Sequence, residues 1–365
     1  MIPRRYLRPA GRLTGPRAWT RSGAAVEIGG NADLAFASLE LIDRQADRSI
    51  ERRLIGADEA RAAAAGDGAP VLDLRAALDG FAVPRGPLAG VSFDRPRIMG
   101  IVNVTPDSFS DGGHLGDARQ AIAFAERLVD EGADFLDIGG ESTRPGSDTV
   151  PVEEELRRVM PVVEGLSGRT SARISVDTRK AEVMRRAAAA GADLINDVSA
   201  LSFDPDALAV AVETGLPVVL MHARGDPKSM QQDPRYDDAL LDVYDALAAR
   251  IAVCVAAGIA RDRIVVDPGI GFGKTLDHNL ELLAGLSLLH GLGVPVMLGA
   301  SRKSSIGKLT GATDPSERVP GSIAAALAGA MQGAAVLRVH DVAATRQALA
   351  VWEAACRGGV PRSDH

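Results

Sequence analysis

Phe135-Leu136-Asp137-Ile138, followed at once by Gly139-Gly140-Glu141-Ser142-Thr143-Arg144, holds the pattern that decides the fold. A short apolar run ends in a burst of polar side chains. Upstream, Arg97-Ile98-Met99-Gly100-Ile101-Val102 ends in Asn103; downstream, Ile174-Ser175-Val176 ends in Asp177. Leu194-Ile195 leads to Asn196-Asp197, Val218-Val219-Leu220-Met221 to His222, and Ile264-Val265-Val266 to Asp267. Val294-Pro295-Val296-Met297-Leu298-Gly299 leads to Ser301-Arg302-Lys303, and Ala335-Val336-Leu337 to Arg338 and His340. Eight strand-like runs each carry chemistry at the C-terminal end. A parallel barrel gathers eight such ends around one mouth, so residues distant in sequence become one site.

Helical periodicity fills the gaps between these runs, over residues 117–131, 151–166, 180–190, 205–214, 237–257, 276–290, 315–332 and 343–356. Several of these segments end in glycine (Gly132, Gly191, Gly215, Gly258), as helix C-termini favour. Gly-Ala-Asp recurs at 132–134 and 191–193, the same helix-to-strand turn used twice. Strict alternation predicts an α/β fold, a (β/α)8 TIM barrel with an N-terminal accessory extension. A doubly wound open sheet is the alternative. The expected division is an extension over 1–95, a barrel over 96–357 and a tail over 358–365. Within the extension, residues 1–30 are basic and rich in Pro and Gly, and read as extended or loosely ordered. Leu34, Leu39, Leu41, Ile42, Ile50 and Leu54 predict one or two amphipathic helices across 33–52, and 57–65 another.

Composition narrows the function classes. The net charge of −7 argues against a general nucleic-acid binder, because a phosphate backbone needs a basic face. No apolar run approaches the roughly 18 residues that cross a bilayer. Nor does the N-terminus carry the apolar core of a secretory signal, and its scattered Pro and Gly weaken a transit-peptide reading, so a cytoplasmic setting is expected. Cys254 and Cys356 lack metal-site spacing and read as small apolar side chains in a reducing compartment.

The polar clusters define candidate chemistry. Residues 103–113, dense in turn formers, are longer than a connector requires and read as a lid with Asn103 at its base. Arg144 could clamp an anion beside the Thr143 hydroxyl. Asp177, Asn196 and Asp267 close three strands, where a buried polar group is costly without partners; facing one cavity, they suit a planar ligand with several N–H donors. Each alone could equally be a helix N-cap. Asp267-Pro268-Gly269-Ile270-Gly271-Phe272-Gly273-Lys274 imitates two nucleotide motifs and satisfies neither: Pro268 stands where a P-loop needs its first glycine, and Lys274 where the dinucleotide fingerprint needs its last. These glycines instead predict close backbone approach to a flat ligand. Ser301-Arg302-Lys303-Ser304-Ser305 places two cations and hydroxyls before a helix-like stretch, and Arg338 and His340 share one side of their strand. Together they read as an anion site at strands seven and eight.

From Arg97 to Val351 these residues, in this order, resemble the dihydropteroate synthases of folate biosynthesis, members of the pterin-binding enzymes. The resemblance implies condensation of (7,8-dihydropterin-6-yl)methyl diphosphate with 4-aminobenzoate to give 7,8-dihydropteroate and diphosphate. It implies Asp177, Lys303 and Asn103 as catalytic residues. Asp177, Asn196, Val198, Met221, Asp267, Phe272, Gly299 and Lys303 would meet the pterin. Asn103, Thr143, Arg144, Arg338, Val339 and His340 would meet the diphosphate, with Mg2+ held through Asn103. Phe109, Thr143, Pro145, Arg302 and Ser304 would form the aminobenzoate site, the target of sulfonamides. A homodimer built through outer barrel helices is implied as well. Three alternatives remain open: a folate-dependent methyltransferase, a non-catalytic pterin-binding paralogue, and a nucleotide-binding regulator. The first has little use for Ser301-Arg302-Lys303 with Arg338 and His340; the second would be expected to lose loop residues such as Asp107, Phe109 or Arg144.

Overall fold

The computed structural model describes residues 3–13, 25–29, 31–66, 68–104, 113–142, 147–225 and 230–358. The chain opens with β1 (Arg4–Arg12), β2 (Val26–Ile28), β3 (Asn31–Arg44), β4 (Ile50–Ile55), α1 (Ala57–Ala63) and α2 (Ala69–Ala82). The eight apolar runs follow as β5 (Arg97–Asn103), β6 (Phe135–Gly139), β7 (Arg173–Asp177), β8 (Leu194–Asp197), β9 (Val218–Met221), β10 (Ile264–Asp267), β11 (Met297–Leu298) and β12 (Val336–Val339). Between and after them lie α3 (Gly113–Asp130), α4 (Val152–Leu166), α5 (Ala181–Ala189), α6 (Ala207–Thr214), α7 (Ala239–Ala257) and α8 (Leu276–Ala284). The last three helices are α9 (Ser304–Thr310), α10 (Val319–Met331) and α11 (Val342–Arg357).

The barrel strands are hydrogen-bonded in the order β10-β9-β8-β7-β6-β5-β12-β11, and a parallel bridge from Val266 to Val296 brings the two ends together. This is the TIM barrel expected from the alternation. Period two sorts each strand. Leu136, Ile138, Ile174, Val176, Ile195, Leu220, Val266 and Leu337 point outward into the core shared with the helices. Met99, Phe135, Leu194, Val219, Val265, Met297 and Val336 form an apolar layer inside, closed below by Leu88, Val91 and Phe93. Full burial of each such side chain contributes about 1.5–3 kcal/mol, enough to hold a polar layer above it. Two residues further along the same strands stand Asp137, Asn196, Met221, Asp267, Gly299 and Arg338, joined by Asp177 at the end of β7.

Two expected helices break where glycine or proline intervenes. The 276–290 segment ends as α8 at Gly285 and continues as a 3-10 turn over Leu286–Leu292. The 315–332 segment begins with a 3-10 turn, Pro315–Arg318, and α10 starts with Pro320 in its first turn, where a missing N–H is harmless.

The N-terminal region differs most from expectation. Residues 31–44 and 50–55 are strands, not helices, and residues 4–12 are a paired strand. β3 is central: β1 pairs antiparallel along one edge from Arg4↔Arg44 to Arg12↔Phe36, while β2 and β4 share the other. Leu39 and Leu41 bury against α1 and α2 with Leu74 and Phe81, whereas Ile42 and Tyr6 join the barrel-side core. Burial on both faces puts apolar residues at adjacent positions, and that spacing imitates a helical stripe. The α1 helix matches the segment expected at 57–65.

Candidate active site

The polar layer opens into a cavity of about 1030 Å³ at the strands' C-terminal ends. Asn103, Asp177, Asn196, Val198, Met221, Asp267, Phe272, Gly299, Arg302, Lys303, Ser304, Arg338 and His340 all line it. Val339 does not; its side chain packs outward in the helix-facing core, opposite to its neighbours. Phe109, Thr143, Arg144 and Pro145 lie outside the described residues.

Arg338 is the hub of the floor. Its Nε donates to Asp137 Oδ2 and its Nη2 to Asp177 Oδ2, each at 2.6 Å. Asp137 also accepts from Ser175 Oγ at 2.5 Å and from Asn196 Nδ2 at 2.9 Å. Burial pushes Asp177 up to about 7, with Asp137 adding to the effect and Arg338 opposing it. Burial likewise works against the Arg338 charge, but Asp137 and Asp177 outweigh it and raise its pKa further. One guanidinium therefore holds two carboxylates, Asp137 and Asp177. Asp137 was not singled out from sequence, although a carboxylate between Leu136 and Ile138 in an apolar strand was a readable signal.

On the opposite wall, burial raises the Asp267 carboxyl while the Gly269 backbone, Lys303 and Arg338 restrain it. Gly269 N–H donates to Asp267 Oδ1 at 2.6 Å. Lys303 Nζ sits 4.2 Å from the centre of the Phe272 ring, a cation–π contact. Beneath them Lys274 is 3% exposed, and its three ammonium protons meet three acceptors: His222 Nδ1 at 3.0 Å, His222 O at 3.1 Å and Phe272 O at 3.0 Å. Burial lowers Lys274 to about 7, with Lys303 acting in the same direction and Asp267 against it. Burial and the Lys274 charge lower His222 to about 3, so its ring is neutral and Nδ1 can accept. The glycines of this loop serve contacts that sequence did not foresee. A Cβ on Gly269 (φ +69°) would stand 2.0 Å from His222 O, and one on Gly273 (φ +64°) 2.3 Å from Arg224 O. Close approach is required, but to the neighbouring loop.

The third wall carries the cations of the β11 end. Ser301 Oγ lies 3.0 Å from His340 Nδ1 and accepts from the His340 backbone N–H at 3.2 Å. Arg302 adopts φ +55°, unusual for a non-glycine residue, and is clamped on three sides. Its N–H donates to Ser322 Oγ at 2.8 Å, its carbonyl accepts from Arg318 at 3.1 Å, and its guanidinium forks onto Asp341. That constraint fixes the approach of Lys303 and Ser304. At the β6 end, buried Glu141 accepts from Arg179 at 2.9 Å and Lys180 at 2.7 Å, and also from Val150 N–H at 3.1 Å. Burial works against the Glu141 charge, but the arginine and lysine outweigh it and lower its pKa. Glu141, Arg179 and Lys180 were passed over in the sequence because no spacing marks a buried ion cluster.

Fold and site together define a barrel enzyme for a flat, hydrogen-bonding ring that carries an anion. The model of the family described as pterin binding enzyme matches residues 99–340. A dihydropteroate synthase from Escherichia coli (strain K12) is 52% identical over 267 residues, covering 73% of this chain and 94% of the relative. One from Neisseria meningitidis serogroup B is 51% identical over 269 residues, covering 72% and 94%. The solved Xanthomonas albilineans dihydropteroate synthase with 4-aminobenzoic acid is 55% identical with a TM-score of 0.70, covering 75% of this chain and 97% of that one. The chain belongs to the pterin-binding enzyme family and, within it, to the dihydropteroate synthases, transferases of folate synthesis. These relatives are matched almost whole, and the family match begins only after the N-terminal sheet and its helices. Among the described residues no helix is long and apolar enough to cross a membrane.

Proposed function

We propose that the cavity binds (7,8-dihydropterin-6-yl)methyl diphosphate with its ring between Asp267, Asn196 and Lys303 and its diphosphate toward Arg338, His340 and Ser301. The relative solved with 7,8-dihydropteroate and the one solved with 4-aminobenzoic acid support these two ligand classes. The reaction breaks the methylene carbon–oxygen bond, and its electron pair leaves on diphosphate. The amine nitrogen of 4-aminobenzoate supplies the pair for the new carbon–nitrogen bond and then loses one proton. Positive charge develops at the methylene and negative charge on the leaving group. Asp177 faces the former and Arg338 the latter, a preorganised arrangement of the kind that lowers such barriers most. The Lys303 ammonium, oriented on the Phe272 ring, donates to a ring acceptor. Val198, Met221 and Gly299 form the apolar and backbone sides of the ring slot, and Arg302 and Ser304 border the aminobenzoate end.

Mg2+ fits this site only as a companion of the diphosphate. Asn103 offers one amide oxygen, and no group of three or more His, Cys, Asp or Glu among the described residues could hold a metal. A hard cation that takes one protein oxygen and otherwise phosphate and water matches that donor set. Bound there, it would neutralise charge on the leaving group. The homodimer and cytoplasmic setting implied by the resemblance belong to the same reading; exposed Leu309, Met331 and Val351 on α9, α10 and α11 offer apolar surface for self-association, and sedimentation velocity tests it.

The Arg338 bridge between Asp137 and Asp177 at the cavity floor carries the proposal. A coupled assay for diphosphate release, run with both substrates and with each omitted in turn, tests it. Release should require the pterin ester, aminobenzoate and Mg2+ together, and aminobenzoate-independent release would overturn the reading.

A further inference from the structure

We propose that the N-terminal unit is a positioning element for the pterin side of the cavity, acting through arginines of the β3–β4 hairpin on the segment that enters α7. The proposal rests on the pterin site described above. It concerns a part of the chain that lies before the family match.

Four carboxylates, Asp237, Asp238, Asp242 and Asp245, cluster within nine residues at the start of α7. Each is met from the N-terminal unit. Arg44, 5% exposed, donates to Asp242 at 3.1 Å and to Asp245. Tyr6 donates its hydroxyl to Asp245 at 2.9 Å, and Arg4 reaches the same carboxylate. Arg52 donates to Asp238 Oδ2 at 2.5 Å while Asp238 Oδ1 caps α7 by accepting from Leu241 N–H at 2.9 Å. Arg48 donates to Asp237 Oδ1 at 3.0 Å, and the Asp237 N–H is itself bonded to Asp242 Oδ2 at 3.0 Å. Without these cations, four like charges would crowd the N-terminus of α7 and the residues that lead into it.

The same segment forms part of the cavity wall. Gln231 and Pro234 line the cavity, and Gln231 Nε2 donates to Gly271 O at 2.7 Å. Tyr236, one residue before Asp237, donates its hydroxyl to Gly273 O at 2.8 Å. Gly271 lies against the Lys303 stem, where an added Cβ would come 3.4 Å from Lys303 Cδ, and Phe272 carries the Lys303 ammonium. The covalent step from Asp237 to Tyr236 therefore joins the hairpin's ion pairs to the loop that seats Lys303. The hairpin bounds the freedom of that loop before ligand arrives, which favours pterin binding by reducing the ordering it requires.

The test uses the full chain, with an Arg48→Gln/Arg52→Gln double variant at the outer pairs and Arg44→Met at the buried one. In the double variant KM for the pterin ester should rise about three- to tenfold, a typical span for coupling through an intervening element. KM for aminobenzoate at saturating pterin and kcat should stay near those of the unaltered chain, the melting temperature should fall modestly because buried Asp238 loses its cation, and Arg52→Lys should keep most of the affinity. Hydrogen exchange over residues 230–243 should speed up in the double variant and slow again when 6-hydroxymethyl-7,8-dihydropterin binds. Arg44→Met, if it folds, should show the same selectivity for the pterin. An unchanged pterin KM despite faster exchange would overturn the proposal, and so would a parallel loss of affinity for both substrates. Failure of the pterin reading would show in the unaltered chain, which would then not bind the dihydropterin; failure of the positioning role shows only in the variants.

Discussion

Asp177 and Lys303 stand on opposite sides of the same cavity, and neither contributes to the apolar layers that hold the barrel. Asp177→Asn and Lys303→Ala should therefore fold normally and lose most turnover, with losses on the order of 3–4 kcal/mol of transition-state stabilisation. Steady-state kinetics on variants with unchanged circular dichroism decide this, and near-normal kcat in either would remove that residue from the site. Arg338 differs, because its removal would strand Asp137 and Asp177 in the floor without a cation, and stability would fall with activity. His340→Ala is the cleaner probe of the proposed anion site: it should weaken the pterin diphosphate far more than the hydroxymethyl pterin, and equal weakening of both would place His340 at the ring. The pair His222–Lys274 yields a pH prediction. His222 is lowered from 6.5 to about 3, so between those values the unfolded chain binds the proton and the folded chain does not. Stability should fall as pH drops through that window, and His222→Gln should flatten the acid limb of a denaturation series; an unchanged limb would contradict the burial argument. Residues at strand ends were legible because a polar side chain after a β-branched run is conspicuous. Asp137, Lys274 and the Glu141 cluster were not, because their partners come from other strands and loops.

At the scale of elements, the strands of the barrel were readable and the strands of the N-terminal sheet were not. β5 to β12 are short, apolar and separated by amphipathic helices, so one period replaces the other cleanly. In β3, Phe36, Leu39, Leu41 and Ile42 are all buried, because α1 and α2 cover one face and the barrel the other. Alternation vanishes when both faces are covered, and pairing with β1, 24 to 40 residues away, leaves no local trace. The start of α7 carries two acidic residues with different duties. Asp238 caps the helix and also meets Arg52, so Asp238→Ala removes a cap worth about 0.5–2 kcal/mol and an ion pair together. Urea denaturation should show a loss in that range, whereas Asp237→Ala, at an exposed pair, should cost less than about 1 kcal/mol. Equal losses for the two would mean that the cap bond contributes nothing.

The whole molecule is expected to unfold as one body, because its two parts share a core rather than merely touching. Tyr6 and Ile42 of the N-terminal sheet belong to the same buried cluster as the outward faces of the barrel strands. Elsewhere the two parts approach backbone to backbone: a Cβ on Gly80 of α2 would stand 2.2 Å from the Gly291 carbonyl oxygen in the 3-10 turn before β11. Arg85 crosses the same seam, donating to Gly80 O at 2.9 Å and to His290 O at 3.2 Å. A glycine is needed there because neither carbonyl nor turn can withdraw without unpacking Leu286–Leu292, which is buried along its length. Gly80→Val should therefore lift α2 from the turn at an overpacking cost of about 1–3 kcal/mol while leaving the barrel's own layers intact. Scanning calorimetry should show a single transition with equal calorimetric and van't Hoff enthalpies for the unaltered chain. In Gly80→Val that transition should split, with the N-terminal sheet melting first. The Arg48 and Arg52 contacts would be lost with it, so the pterin KM should climb at the temperature of the first transition, before turnover collapses at the second. Two separate transitions in the unaltered chain, or one undisturbed transition in the variant, would show that the shared core does not couple the sheet to the barrel.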